Sequence, residues 1–88
     1  MTKQELPKWF DGTLYTEGDV VENPFTGYKY PLNAMELSMY DFIMGCQMLA
    51  EAQGGLMNPS TAGIQTQMSL ALSWFRKHNA PAYMVLLD

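Results

Sequence analysis

His78 and Cys46 are the only histidine and the only cysteine in this 88-residue chain. Nucleophilic, general-base or metal chemistry would have to be built around them or from carboxylates alone. His78 follows Arg76 and Lys77 at the end of a helical pattern, with no Cys, Asp or Glu beside it. That is where a helix C-terminus collects cations, and it is a poor place for a metal ligand. Cys46 falls on an apolar helical stripe, where a free thiol behaves as a small hydrophobe. Asp41 and Glu51 lie too far apart along one helix to work as a close carboxylate pair. Glu17, Asp19 and Glu22 sit on or beside a hairpin, where charge guards strand edges against aggregation. No GxxxxGK, GxGxxG, CxxC or HExxH spacing occurs. The expectation is a protein without catalytic, cofactor or metal residues, and so not an enzyme.

Composition bounds the partners. Apolar residues are 48% of the chain and charged residues 16%, against about 25% charged in an ordinary soluble domain. A single domain this small has much surface and little charge to cover it, so apolar area stays exposed or meets a partner. The net charge is −4, and the bases are Lys3, Lys8, Lys29, Arg76 and Lys77. No run of them could neutralise phosphates, which argues against nucleic acid. The first residues, MTKQELPKWF, lack the apolar stretch of a signal peptide. No apolar run approaches the about 20 residues that cross a bilayer. A lone thiol suits a reducing compartment, and these features together predict a cytoplasmic protein with no membrane segment.

Pro7, Trp9 and Phe10 mark residues 1–12 as an arm with an apolar anchor, closed by the turn signal Asp11-Gly12. The anchor docks on the protein's own core or on a neighbouring subunit. Three β-prone runs follow: Thr13–Thr16, Asp19–Glu22 and Tyr28–Tyr30. Their spacing predicts a small antiparallel meander over about 13–32. Between the second and third runs, Asn23-Pro24 opens a turn and Gly27 supplies positive φ. Pro31 donates no amide, so it belongs on a free edge or at a strand end. Asn33 then opens the strongest helix, about 33–53, with Glu36 completing a capping box and Leu32 and Leu37 placed as a hydrophobic staple. Gly54-Gly55 stops it. A second helix, about 59–78, starts at Asn58-Pro59 and is stopped by Asn79 and Pro81. Residues 82–88 suit either a short strand or one helical turn. The fold class expected is α+β, a β-meander followed by two antiparallel helices.

Both helices carry more apolar surface than one core needs. Met35, Met39, Phe42, Ile43, Cys46, Leu49 and Ala50 share one face of the first helix, while Leu37, Met44 and Met48 lie nearly opposite. On the second, Ile64, Met68, Ala71, Leu72 and Phe75 form a stripe, and Gly63, Leu70 and Trp74 another about 90–100° away. A chain this short has limited material to cover two faces of two helices. Self-association, a twofold dimer first, is the economical reading; coverage by the chain's own hairpin and termini is the competing one. Leu37, Met44, Met48, Leu70 and Trp74 are the candidate interface residues. Phe25, an aromatic at a turn tip with no local reason to be there, joins them. The eight methionines suit an adaptable binding surface.

The cadence NPFTG…YPLNAMELSMYDFIMG, within the span from Asp19 to Met48, resembles small uncharacterised proteins of marine cyanobacterial phages and ocean metagenomes. The resemblance covers about a third of the chain and implies a phage context, with host cytoplasm as the setting. It carries no activity, and no functional residue follows from it. The function expected is that of a small interaction protein that self-associates through apolar helix faces. The alternative is an acidic monomer that modulates a host or phage protein.

Overall fold

Asp19–Glu22 (β1) and Lys29–Leu32 (β2) form a two-stranded antiparallel hairpin, with Val21 opposite Tyr30 and Val20 opposite Pro31. The computed structural model that shows this describes residues 5–10, 12–55 and 59–87. Each strand of a two-stranded sheet has a free edge, so the amide that Pro31 lacks costs no ladder bond. Val21 and Tyr30 point inward against the core, while Val20 and Pro31 point out. The connection closes as its residue types demand. The Gly27 N–H donates to the Asn23 carbonyl at 2.8 Å, and Gly27 takes φ 78°, a conformation only glycine adopts freely.

Ala34–Ala52 (α1) begins on the expected capping box. Asn33 Oδ1 accepts from the Glu36 N–H at 2.8 Å, and Glu36 Oε1 accepts from the Asn33 N–H at 3.0 Å. The helix ends in a Schellman pair: the Gly55 N–H reaches the Ala50 carbonyl at 2.7 Å and the Gly54 N–H reaches Glu51 at 3.2 Å. A 3₁₀ turn, Pro59–Thr61, precedes Ala62–His78 (α2). The expected cap, Asn58, lies outside the described residues, as does Asp11. Buried Thr61 closes this connection by donating its hydroxyl to the Gly55 carbonyl at 3.1 Å.

Helix number departs from expectation. Ala80–Leu86 forms a third helix (α3), so the fold is α+β with a two-stranded hairpin and three helices. Asn79 and Pro81 do stop α2, but the same residues start α3. Asn79 donates its N–H to the Phe75 carbonyl at 2.8 Å, while its Oδ1 accepts from the Ala82 N–H at 3.2 Å. Proline in a first helical turn has no partner to lose, and its fixed φ suits the new helix.

Thr13–Thr16 is not a strand, and Gly18 shows why. There the chain passes so close beside Leu32 and Asn33 that a Cβ would collide with the Leu32 carbonyl oxygen and lie 2.9 Å from Asn33 Cα. Upstream of that crossing, the segment runs toward α1 instead of pairing with β1. Its Tyr15 N–H donates to Ser38 Oγ at 2.9 Å, and Ser38 in turn donates to the Ala34 carbonyl.

The core is built from Leu32, Met39, Tyr40, Ile43, Ala71, Trp74, Phe75, Ala82 and Leu86. On α1 the buried face gains Glu36 and Tyr40, a rotation of about 50° toward them from the expected stripe at 100° per residue, while Ser38 is buried on the opposite flank, where it accepts from Tyr15. Met35 and Leu49 consequently face solvent. The rotation brings buried Glu36 to the α2–α3 junction, where its Oε2 accepts from Asn79 Nδ2 at 2.9 Å. One carboxylate thus serves the cap of α1 and grips the cap of α3.

Candidate interaction groove

Two recesses flank α1. One, of about 590 Å³, opens between the arm and the helices and is lined by Gly12, Asp41, Phe42, Cys46 and Gln67 among others. Cys46 is buried there, and desolvation pushes its thiol pKa above its ordinary value. A thiol kept protonated is a poor nucleophile. Asp41 is, among the described residues, the one carboxylate lining this recess. Among the described residues, no group of three His, Cys, Asp or Glu could hold a metal ion. The His78 ring lies tilted against Trp74, with ring centroids 4.5 Å apart.

The other recess, about 420 Å³, lies between the hairpin tip, α1 and the end of α3. Its walls are Pro24, Phe25, Tyr40, Met44, Met48, Leu86 and Leu87, with Asn23, Gln47 and Glu51 as its polar members. Asn23 fixes the geometry. It is buried, and its Nδ2 donates to the Val85 carbonyl of α3 at 2.9 Å. Its Oδ1 accepts from the N–H groups of Phe25, at 2.8 Å, and Thr26, at 3.3 Å. One side chain therefore shapes the turn and ties it to α3. Phe25 lines the groove at 92% exposure, and Met48, which also lines it, is 71% exposed. Desolvation raises the pKa of the Tyr40 phenol in the groove wall.

The six residues singled out from sequence separate into three groups. Phe25, Met44 and Met48 converge on this groove, although Phe25 is far from the others in sequence. Leu37 is half-buried against the core, and Leu70 is 46% exposed on α2. Trp74 is not an outward residue: it is 8% exposed and belongs to the core. The arm covers it, since Trp74 Nε1 donates to the Glu5 carbonyl at 2.8 Å. Trp9 and Phe10 extend that cover by packing on Phe42 at centroid distances of 5.8 and 5.3 Å. The anchor thus docks on the protein's own core, and this half of the apolar excess is covered within the chain.

The periodicity of α1 and α2 did not reveal that Asn23, Tyr40 and Leu86 would complete the groove. The one local signal was Asn23, a turn residue whose side chain has a donor left after its carbonyl oxygen shapes the turn. No helix among the described residues is long and apolar enough to cross a membrane. No family model matches the chain, no curated protein matches it, and no solved structure matches its fold.

Proposed function

We propose that the chain is a small phage-type interaction protein that associates with copies of itself, a twofold dimer first, through apolar surface left outside its core. Apolar side chains left exposed beside one apolar groove support this reading most strongly. The body is flat, with extents of 37 × 32 × 21 Å, and a flat body leaves side chains on its broad faces without cover. Phe25 and Met48, which both line the groove, are among those left exposed. Scattered apolar residues on a surface are ordinary; exposed ones gathered at the mouth of an apolar groove mark an interaction site.

The acidic character of the molecule favours a second reading, in which a monomer takes a different protein into the same groove past Glu51. Size-exclusion chromatography with light scattering separates the two. Self-association gives a mass that rises with concentration toward twice 9.9 kDa. A constant 9.9 kDa up to millimolar protein would refute it and leave the monomeric reading.

A further inference from the structure

We propose that residues 5–10 are a releasable strap, which latches across Phe42 and Trp74 and lifts as a unit about Gly12 while the hairpin and the three helices stay folded. This holds for a single copy and does not rest on self-association. How the strap is fastened makes it separable. Residues 5–10 belong to no helix or strand, so no ladder of backbone bonds ties them to the body. Their backbone closes on itself instead, the Phe10 N–H donating to the Pro7 carbonyl at 3.1 Å. Among the described residues, the hydrogen bond from strap to body is that of Trp74 Nε1 to the Glu5 carbonyl at 2.8 Å. Apolar contact supplies the rest. Leu6 and Trp9 pack half-buried against the core, and Trp9 and Phe10 both press on Phe42. The holding points are thus side chains, Phe42 on α1 and Trp74 on α2.

The body is complete without the strap. Its buried core, with Leu32, Met39, Ile43, Phe75, Ala82 and Leu86, comes from β2 and the three helices, and these elements pack on one another directly. The hinge is defined as well. Residues 13–18 are exposed, and the next tie to the body is the Tyr15 N–H bond to Ser38 Oγ. An opening that begins at the strap therefore stops between Gly12 and Tyr15. Gly12 itself sits tightly in the latched state, where a Cβ would come 2.7 Å from the Phe10 ring and 3.1 Å from Phe42. A segment with few backbone bonds opens at a lower free energy than the core it covers. Lifting this one bares Phe42 and Trp74 and unroofs the recess that Gly12, Phe42 and Cys46 line together. The fold so keeps one apolar face in reserve, closed when latched and bare when open.

The Trp74 indole proton and the Cys46 thiol report this opening in the full chain. By NMR hydrogen exchange, the indole proton should be protected about tenfold less, or weaker still, than the slowest amides of α1 and α2. Its exchange should also depend little on urea well below the unfolding midpoint. Trp9→Ser should speed both indole exchange and alkylation of Cys46 by iodoacetamide about tenfold or more, with helical circular dichroism unchanged. Leu86→Ala, a core change on α3, should lower the protection of the helix amides and leave both strap signals near wild type. Indole exchange and alkylation as slow as the slowest helix amides, with the same steep urea dependence, would mean that the strap leaves only on global unfolding and would overturn the proposal. An indole proton as unprotected in wild type as in Trp9→Ser would overturn it too, since the strap would not be latched. So would loss of helical signal in Trp9→Ser, because the body would then not stand without the strap.

Discussion

Replacing Asn23 by alanine removes three hydrogen bonds at once and tests whether the groove's geometry depends on one side chain. The bond to the Val85 carbonyl at 2.9 Å and that from the Phe25 N–H at 2.8 Å are short, and that from the Thr26 N–H at 3.3 Å is longer. At about 0.5–1.5 kcal/mol net for each well-made bond, the loss is about 2–3 kcal/mol. The upper part applies if the Val85 carbonyl finds no water in place of Asn23 Nδ2. For a domain of this size, about 4–8 °C of melting temperature accompanies each kcal/mol. The Asn23→Ala protein should therefore melt about 10–20 °C below wild type, read by circular dichroism or calorimetry at neutral pH. Asn23→Asp separates the turn from the tie. Its carboxylate keeps the acceptor for Phe25 and Thr26 but sets a negative charge against the Val85 carbonyl, where Nδ2 had donated. The folded state then binds that proton more tightly than the unfolded chain does. Stability should accordingly rise as pH falls toward about 4, the ordinary aspartate value. An Asn23→Ala melting point within about 3 °C of wild type would refute this account of how hairpin and α3 are joined.

Other perturbations probe the remaining joints. Trp74→Phe keeps an aromatic ring in the core but removes the bond to the Glu5 carbonyl. It should cost about 1 kcal/mol and speed tryptic cleavage after Lys8, followed by mass spectrometry; unchanged cleavage would mean the arm is held elsewhere. Gly18→Ala places a methyl group against the Leu32 carbonyl and Asn33 Cα. A loss of about 1–3 kcal/mol is expected in a denaturant titration, from overpacking against backbone that cannot yield. Burial raises the Cys46 pKa above 9.0, so the unfolded chain loses this proton first and Cys46 contributes a loss of stability as pH rises past that value. In the same sense, native Cys46 should react with iodoacetamide at pH 8 much more slowly than urea-unfolded protein; equal rates would contradict its burial.

The parts of the fold legible in the sequence are those decided within a few residues. Asn33 and Glu36 formed their capping box because both partners lie in one helical turn, and Gly27 and Gly54 took positive φ where a turn or helix end required it. Failures came where distant segments decide. Thr13–Thr16 has the residue types of a strand, yet the close crossing at Gly18 directs it to Ser38. Trp74 lies on the same stripe as Leu70, and only the path of the arm buries one and leaves the other open. The third helix depended on whether the segment after Pro81 had a surface to pack on, and β2 and α2 provide it. The groove was half legible. Met44 and Met48 follow from helical spacing, whereas their meeting with Phe25 depends on Asn23 reaching across to Val85.

Sedimentation equilibrium on wild type and Phe25→Ser, run side by side across a wide concentration range, bears most directly on self-association through this groove. Wild type should fit a monomer–dimer equilibrium. Phe25→Ser should remain near 9.9 kDa over the range in which wild type is dimeric. Two superimposable curves, whether both monomeric or both dimeric, would contradict it.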